Sequence, residues 1–367
     1  MEIEKAIRLM GLADGFKDPH WNRAVKVTDN VVQRAEPEWL TELLAALLQV
    51  TAPTYPMCYG FEVALQRLAY APGDADRTAR VRIFAAEGQA WGRVRYEFAE
   101  VAAWLAIGQP AEHLLRVFDT ADVTDELAAC LLQEVALRYD ATAAAGFAGR
   151  LRATGHPLGR LPLRRTAAEH QIVLRCHSDP PKPDWHPPGD GAAPAPGPDE
   201  IDATATEIHW SDAHRALSAH RSWVSDTGDT TETRLFLLGR PLSAGDFGAS
   251  LLRALGPRSI GDAMTRTCRV TTADVLQTLF YAAAGGSAYG RRRYGAYGRR
   301  ASWQSLAALV GVPDDDTSTI EAAAGRCDWL LYTSNWHLQV DPSMDAGIAV
   351  LRPDHRTVAI LAATDSD

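Results

Sequence analysis

The stretch Gly347-Ile348-Ala349-Val350-Leu351-Arg352-Pro353-Asp354-His355-Arg356-Thr357-Val358-Ala359-Ile360-Leu361-Ala362 reads as a β-hairpin near the end of the chain. Apolar runs at 347–351 and 357–362 are strand candidates, and Arg352-Pro353-Asp354-His355 between them is rich in turn formers. Working upstream, further strand candidates lie at 206–210, 234–238, 268–270 and 329–333. Helix candidates lie at 211–224, 247–255, 272–284, 302–310 and 320–326. Strands and helices mixed without strict βαβ alternation point to an α+β domain rather than a doubly wound one.

That domain is expected to span 166–367. His170-Gln171-Ile172-Val173-Leu174-Arg175-Cys176 has a strand-like pattern. It runs into 178–200, where Pro180, Pro181, Pro183, Pro187, Pro188, Pro194, Pro196 and Pro198 leave no room for a core element, so the stretch reads as an extended linker or loop. Residues 1–165 read instead as an all-α domain. Leu40, Leu43, Leu44, Leu47 and Leu48 repeat at helical spacing before Pro53. Phe98, Val101, Ala102 and Leu105 do the same before Gly108-Gln109-Pro110, and a third helix follows Asp122 or Thr124 as N-cap. Short connections favour antiparallel helix pairs, either stacked like an α-solenoid or packed as an orthogonal bundle.

With 367 residues, 46% of them apolar, the chain can bury a substantial core. Its formal charge of −9 repels nucleic acid and anionic membrane unless a local basic patch intervenes. The positive charge is nearly all arginine, and none of Lys5, Lys17, Lys26 and Lys182 follows glycine and precedes Ser or Thr, which excludes a Walker A phosphate loop. Cys58, Cys130, Cys176, Cys268 and Cys327 form no Cys-x-x-Cys pair, and Met1-Glu2-Ile3-Glu4-Lys5 lacks the features of a signal peptide. The expectation is a reduced, cytoplasmic protein.

The densest chemistry is in Tyr289-Gly290-Arg291-Arg292-Arg293-Tyr294-Gly295-Ala296-Tyr297-Gly298-Arg299-Arg300, read as a loop between two helices. Arginine offers planar, bidentate donors for phosphate or carboxylate, and tyrosine offers flat stacking surfaces. Arg291, Arg292, Arg293, Arg299 and Arg300, with Tyr289, Tyr294 and Tyr297, are therefore the anion-binding candidates. Their structural alternative is internal pairing with Asp314-Asp315-Asp316 or with an acidic tail carrying Asp365 and Asp367. Elsewhere the signals are thinner. His209, His214 and His220 are not spaced for one helical face, so no metal site is expected. Gly285-Gly286-Ser287-Ala288-Tyr289 misses the Gly-x-Ser-x-Gly of a serine hydrolase by one residue, and no Gly-x-Gly-x-x-Gly calls for a dinucleotide. Trp329, Tyr332 and Trp336 suit core anchors better than pocket walls, and Asp341, Asp345, Asp365 and Asp367 lack a spacing that fixes a cation.

Gly285-Gly286-Ser287-Ala288-Tyr289, Gly295-Ala296-Tyr297-Gly298-Arg299, Trp303, Cys327-Asp328-Trp329 and Leu361-Ala362-Ala363-Thr364-Asp365-Ser366-Asp367 together resemble an uncharacterised family of actinobacterial proteins that carries only a domain-of-unknown-function label. The resemblance covers roughly residues 230–367 and brings no activity, cofactor or catalytic residue. It implies a cytosolic bacterial protein in which the Gly/Tyr/Arg segment and the acidic C-terminus belong to a shared fold. Met344-Asp345-Ala346-Gly347 departs from the family's Trp-Asp-Leu-Gly, and Thr364-Asp365-Ser366-Asp367 from its Thr-Asp-Thr-Asp. The expected function is a non-enzymatic interaction module whose Arg/Tyr-rich loop binds an acidic group on a protein partner or small anionic ligand, with no cofactor, metal or membrane partner. The alternatives are an enzyme acting on a small phosphorylated or carboxylated substrate, with Asp365 as general base, and nucleic-acid binding through the same loop.

Overall fold

The computed structural model describes residues 1–91, 93–172, 174, 204–223, 230–260, 265–286, 292–337 and 345–365. The chain divides into two compact units, Met1–Gly159 and Arg160–Asp367. Among the described residues no helix is long and apolar enough to cross a membrane.

The first unit is helical: α1 (Ile3–Met10), α2 (Trp21–Asn30), α3 (Pro37–Leu47), α4 (Tyr55–Tyr70), α5 (Ala75–Gln89), α6 (Phe98–Gly108), α7 (Ala111–Thr120), α8 (Glu126–Arg138) and α9 (Ala145–Ala153). Helices α2, α4, α6 and α8 pack one on the next, while α1 lies against α3 and α5 against α7. That alternation is the solenoid-like stacking of the two architectures the spacing allowed. Helix α8 is buried from Leu127 through Leu137, so its apolar residues surround the whole cylinder instead of forming a stripe. Its N-cap is Asp125, whose carboxylate accepts from the Ala128 N–H at 2.9 Å; Asp122 instead stabilises the turn before it by accepting from Thr124. Where α6 crosses the end of α4, Gly108 is required: a Cβ there would collide with the Ala69 carbonyl and the Tyr70 backbone. Gln109 then donates to the Ala69 and Ala71 carbonyls at 2.7 and 2.8 Å, satisfying groups that the end of α4 leaves open.

The second unit holds a six-stranded antiparallel sheet of β1 (Ala205–Glu207), β2 (Thr231–Leu238), β3 (Arg266–Val270), β4 (Asp328–Thr333), β5 (Asp345–Leu351) and β6 (Thr357–Thr364), in the order β1-β2-β6-β5-β4-β3. All six strand candidates in this unit's later part form, and β5 and β6 make the expected hairpin about 352–356. Both are buried along their whole length. Such strands need cover on both faces, which explains their unbroken apolar runs. Among the described residues, five α-helices accompany the sheet: α10 (Ala213–Ala216), α11 (Ala249–Leu255), α12 (Thr272–Gly285), α13 (Tyr294–Val310) and α14 (Thr317–Ala324). One face packs Phe236, Leu330, Ala349 and Ile360 under Leu251 and Leu252 of α11. On the other, Trp223 and Ala282 of α12 meet Ala346 and Ala363.

Two expectations are corrected. Residues 168–171 form a 3-10 turn rather than the start of a strand, because the backbone curls to bring the Thr166 N–H onto the Glu169 carboxylate at 2.9 Å. The Arg/Tyr segment is helix from Tyr294 onward, not loop. Gly298 serves packing: a Cβ there would sit 2.9–3.0 Å from Ala284, so α13 approaches α12 only with glycine at this position. The Pro-rich stretch 178–200 lies outside the described residues.

Candidate functional site

Helix α13 lies against β6. At its C-terminal end Arg352, in the β5–β6 turn, donates to the Leu309 and Ala308 carbonyls at 3.0 and 3.1 Å. Its N-terminal turn therefore lies toward the opposite end, where β2 and β5 start and β6 finishes. The end of α12 is there too, since the Trp223 indole donates to the Gly286 carbonyl at 3.1 Å and packs on Ala346 and Ala363.

The arginines of this region divide into two groups. Arg299 is fully buried and committed to the interior. Its Nε and Nη2 grip Glu169 Oε1 and Oε2 at 2.6 and 2.7 Å, and its Nη1 and Nη2 donate to the Pro162 and Arg164 carbonyls at 2.7 and 3.0 Å. The Trp303 indole adds a bond to Glu169 Oε1 at 2.8 Å. Burial raises the Glu169 pKa, but the Arg299 charge and these hydrogen bonds outweigh it, and the net direction is down. An internal partner exists, as the structural alternative required, though it is Glu169 rather than the acidic runs. Of those runs, Asp314 pairs with Arg215 at 3.6 Å and Asp316 caps α14.

The second group faces outward. Arg293, the N-cap residue of α13, is half-buried and donates to the Ser218 carbonyl at 3.1 Å. Its pKa is lowered first by burial and then by the charges of Arg221 and Arg300. Arg221 and Arg292 are exposed, Arg300 is half-buried, and among the described residues no carboxylate pairs with any of these four. Tyr294, at φ 51°, and Tyr297 stand half-buried beside them. Asp365 directly follows β6 and is half-buried; Tyr289, Arg291 and Asp367 lie outside the described residues. Arg221 was not legible as a member of this cluster, because it comes from the turn before β2, far away in sequence.

The same end of the sheet carries buried polar side chains on its other face. Asp345 lies opposite Thr364, whose hydroxyl donates to it at 2.6 Å, and Thr267 lies opposite Tyr332. Tyr332 OH and Ser259 Oγ are 2.8 Å apart, and Ser334 Oγ donates to the Ser259 carbonyl at 2.6 Å. Glu232 anchors this loop by accepting from the Arg258 and Ser259 N–H groups at 2.9 and 2.6 Å. The Ser334 N–H donates to His337 Nδ1 at 3.2 Å, so in the neutral ring the proton sits on Nε2. Among the described residues, Thr267 Oγ1 is buried there without a hydrogen-bond partner. Burial pushes the His337 pKa down, against the opposing charge of Asp345. A neutral imidazole donor beside a carboxylate is an inventory suited to proton transfer. Tyr332, Trp336 and Asp345 were visible in the sequence as isolated possibilities. Ser259, Ser334 and His337 were not, since only strand register and the turn after β4 bring them together.

The family comparison covers far more of the chain than the C-terminal resemblance did: the model of a family of unknown function (DUF6183) matches residues 22–367. The chain belongs to this family. The match takes in nearly the whole helical unit, so the two units recur together as one family unit. No curated protein and no solved structure matches the chain.

Proposed function

We propose that this DUF6183 member is an interaction protein that takes an acidic group of a partner at Arg221, Arg292, Arg293 and Arg300. The observation that carries this reading is a half-buried Arg293 whose charge is opposed by burial and by two further arginines, with no carboxylate paired to them among the described residues. Gathering like charges in a partly desolvated place is unfavourable in the free protein and becomes favourable when an anion arrives. The start of a 17-residue helix adds its positive end to the same place. We assign the protein to the reducing cytoplasm of an actinobacterium; that Cys58, Cys130, Cys268 and Cys327 are free thiols supports the compartment.

A second reading, an enzyme acting on a small phosphorylated or carboxylated substrate, is favoured by His337, Asp345, Tyr332 and Ser259 at the same end of the sheet. The experiment is a titration of the full chain with a fluorescent oligoglutamate peptide and, separately, with inorganic pyrophosphate. Peptide binding weakened at least about tenfold by R293A/R300A supports the interaction reading, since charged hydrogen bonds contribute ~1.5–3 kcal/mol each. Pyrophosphate binding in preference to peptide moves the assignment to the enzymatic reading. Binding of single-stranded DNA that falls steeply with salt moves it to nucleic acid. Affinities unchanged in the variant overturn the assignment of these arginines.

A further inference from the structure

His220 is a buried titratable group that none of the chemistry above uses. It sits in the 3-10 segment Leu217–Trp223, at a kink where φ is −104° and ψ is 15°. The residue is 0% exposed, and among the described residues neither ring nitrogen has a hydrogen-bond partner. Its ring meets Trp223 edge to face, with centroids 4.8 Å apart. A neutral imidazole tolerates such a place, whereas an imidazolium would carry two N–H donors and a charge with nothing to receive them. The segment is fastened from three sides: the Ala219 N–H donates to Ser305 Oγ of α13 at 2.8 Å, the Ser218 carbonyl accepts from Arg293 at 3.1 Å, and the Trp223 indole reaches the Gly286 carbonyl.

The segment packs against α10, α12, α13 and β6. On α12 the carboxylate is Asp274, spent on the capping box at the far end from Gly286. Arg215 of α10 is paired with Asp212 and Asp314, and Arg299 of α13 with Glu169. The strand β6 carries no titratable side chain. The other titratable groups are positive or neutral: Arg293 and Arg300 at α13 and Arg221 on the segment itself, with His214, Tyr281, Tyr294 and Tyr297. Burial by itself carries the His220 pKa down, to about 3, with no charged neighbour entering.

We propose that Leu217–Trp223 is an acid-released latch on the arginine site: it stays closed while His220 is neutral, and protonation of His220 frees it from α12 and α13. Release carries Arg221 away with the segment and breaks the Arg293 bond to Ser218, so the cluster disperses and anion affinity falls on acidification. Simple charge counting gives the opposite sign, because a positive charge added to a closed site would strengthen anion binding. The closed state excludes the proton, so its preference is complete above the ordinary histidine value of about 6.5 and is lost as pH falls from there toward about 3. The regulatory part rests on the function proposed above; the latch itself does not.

Hydrogen-exchange NMR of the full chain tests this. Protection of the Ala219 amide and the Trp223 indole, corrected for intrinsic exchange, should fall close to tenfold per pH unit between about pH 6 and about pH 4. It should stay below that of the Ala349 amide in β5 throughout, because the opening is local. In H220F, and in H220L should the larger ring not fit, the fall should be no more than about twofold across the range. At about pH 6, an oligoglutamate peptide at about ten times its Kd should raise the protection of both groups about tenfold, since it binds the closed state. A flat parent profile, the parent slope retained in both variants, or coinciding protections in the segment and β5 would overturn the latch. Peptide bound without added protection would overturn its hold on the arginines. Absence of peptide binding would instead count against the function proposed above, and the exchange profiles would still decide the latch.

Discussion

Removing the Glu169 carboxylate should destabilise the second unit more than any other single change to a charged side chain described above. In E169A, Arg299 keeps its two carbonyl contacts but loses both bonds to the carboxylate, and the Trp303 indole and Thr166 N–H lose their acceptor. Both charged side chains are fully buried, so no water replaces what is lost. Leaving one buried charge unpaired costs about 3–5 kcal/mol. For a domain of about 200 residues this lowers the melting temperature by roughly 10 °C. Urea denaturation of E169L, R299M and E169L/R299M forms a double-mutant cycle, and the double variant should lose much less than the sum of the singles, because an apolar pair does not strand a charge. The pH dependence has a definite sign. Since the folded Glu169 pKa is below its ordinary value, the carboxylate's contribution is fully present above the usual carboxylate range and is lost as pH falls through the folded value. E169Q should therefore show a shallower acid loss of stability than the parent. A cost below about 1 kcal/mol for E169A, the scale of an exposed pair, would refute the argument and return Arg299 to the outward-facing group.

Further outcomes follow from particular contacts. G298V should cost about 1–3 kcal/mol by forcing α13 away from Ala284, with G298A less severe, as read by thermal melting. Y332F should cost about 0.5–1.5 kcal/mol by stranding the Ser259 hydroxyl, and hydrogen exchange should quicken at the end of β4. Asp316 accepts from Ser318 and Thr319, whose hydroxyls and N–H groups lower its pKa to about 2; the start of α14 should stay protected from exchange until pH approaches that value and fray at neutral pH in D316A.

The hairpin strands were legible because each carries its own signal: 347–351 and 358–362 are apolar throughout, and the turn between them holds Pro353 and Asp354. The α13 segment misled because glycine and arginine together look like a solvated loop. Only the neighbouring helix shows that Gly298 is a contact and that Arg299 points inward. Glu169 carries no local mark of importance, being an acidic residue in a short polar run whose partner comes 130 residues later. The polar end of the sheet was invisible for a related reason: Asp345 and Thr364 face each other through register, and register is not written in either strand alone.

The Glu169–Arg299 contact also changes what a break in the chain would mean. Residues 162–169 are held to α13 by a clasp of one carboxylate and two carbonyls, and Arg165 fastens the next piece by donating to the Ile172 carbonyl at 2.7 Å. Beyond the Pro-rich stretch the chain is fastened again where β1 pairs with β2. Covalent continuity between 175 and 203 is thus redundant: a molecule cut there would stay a single particle, its two fragments joined by the buried clasp and parted only by unfolding.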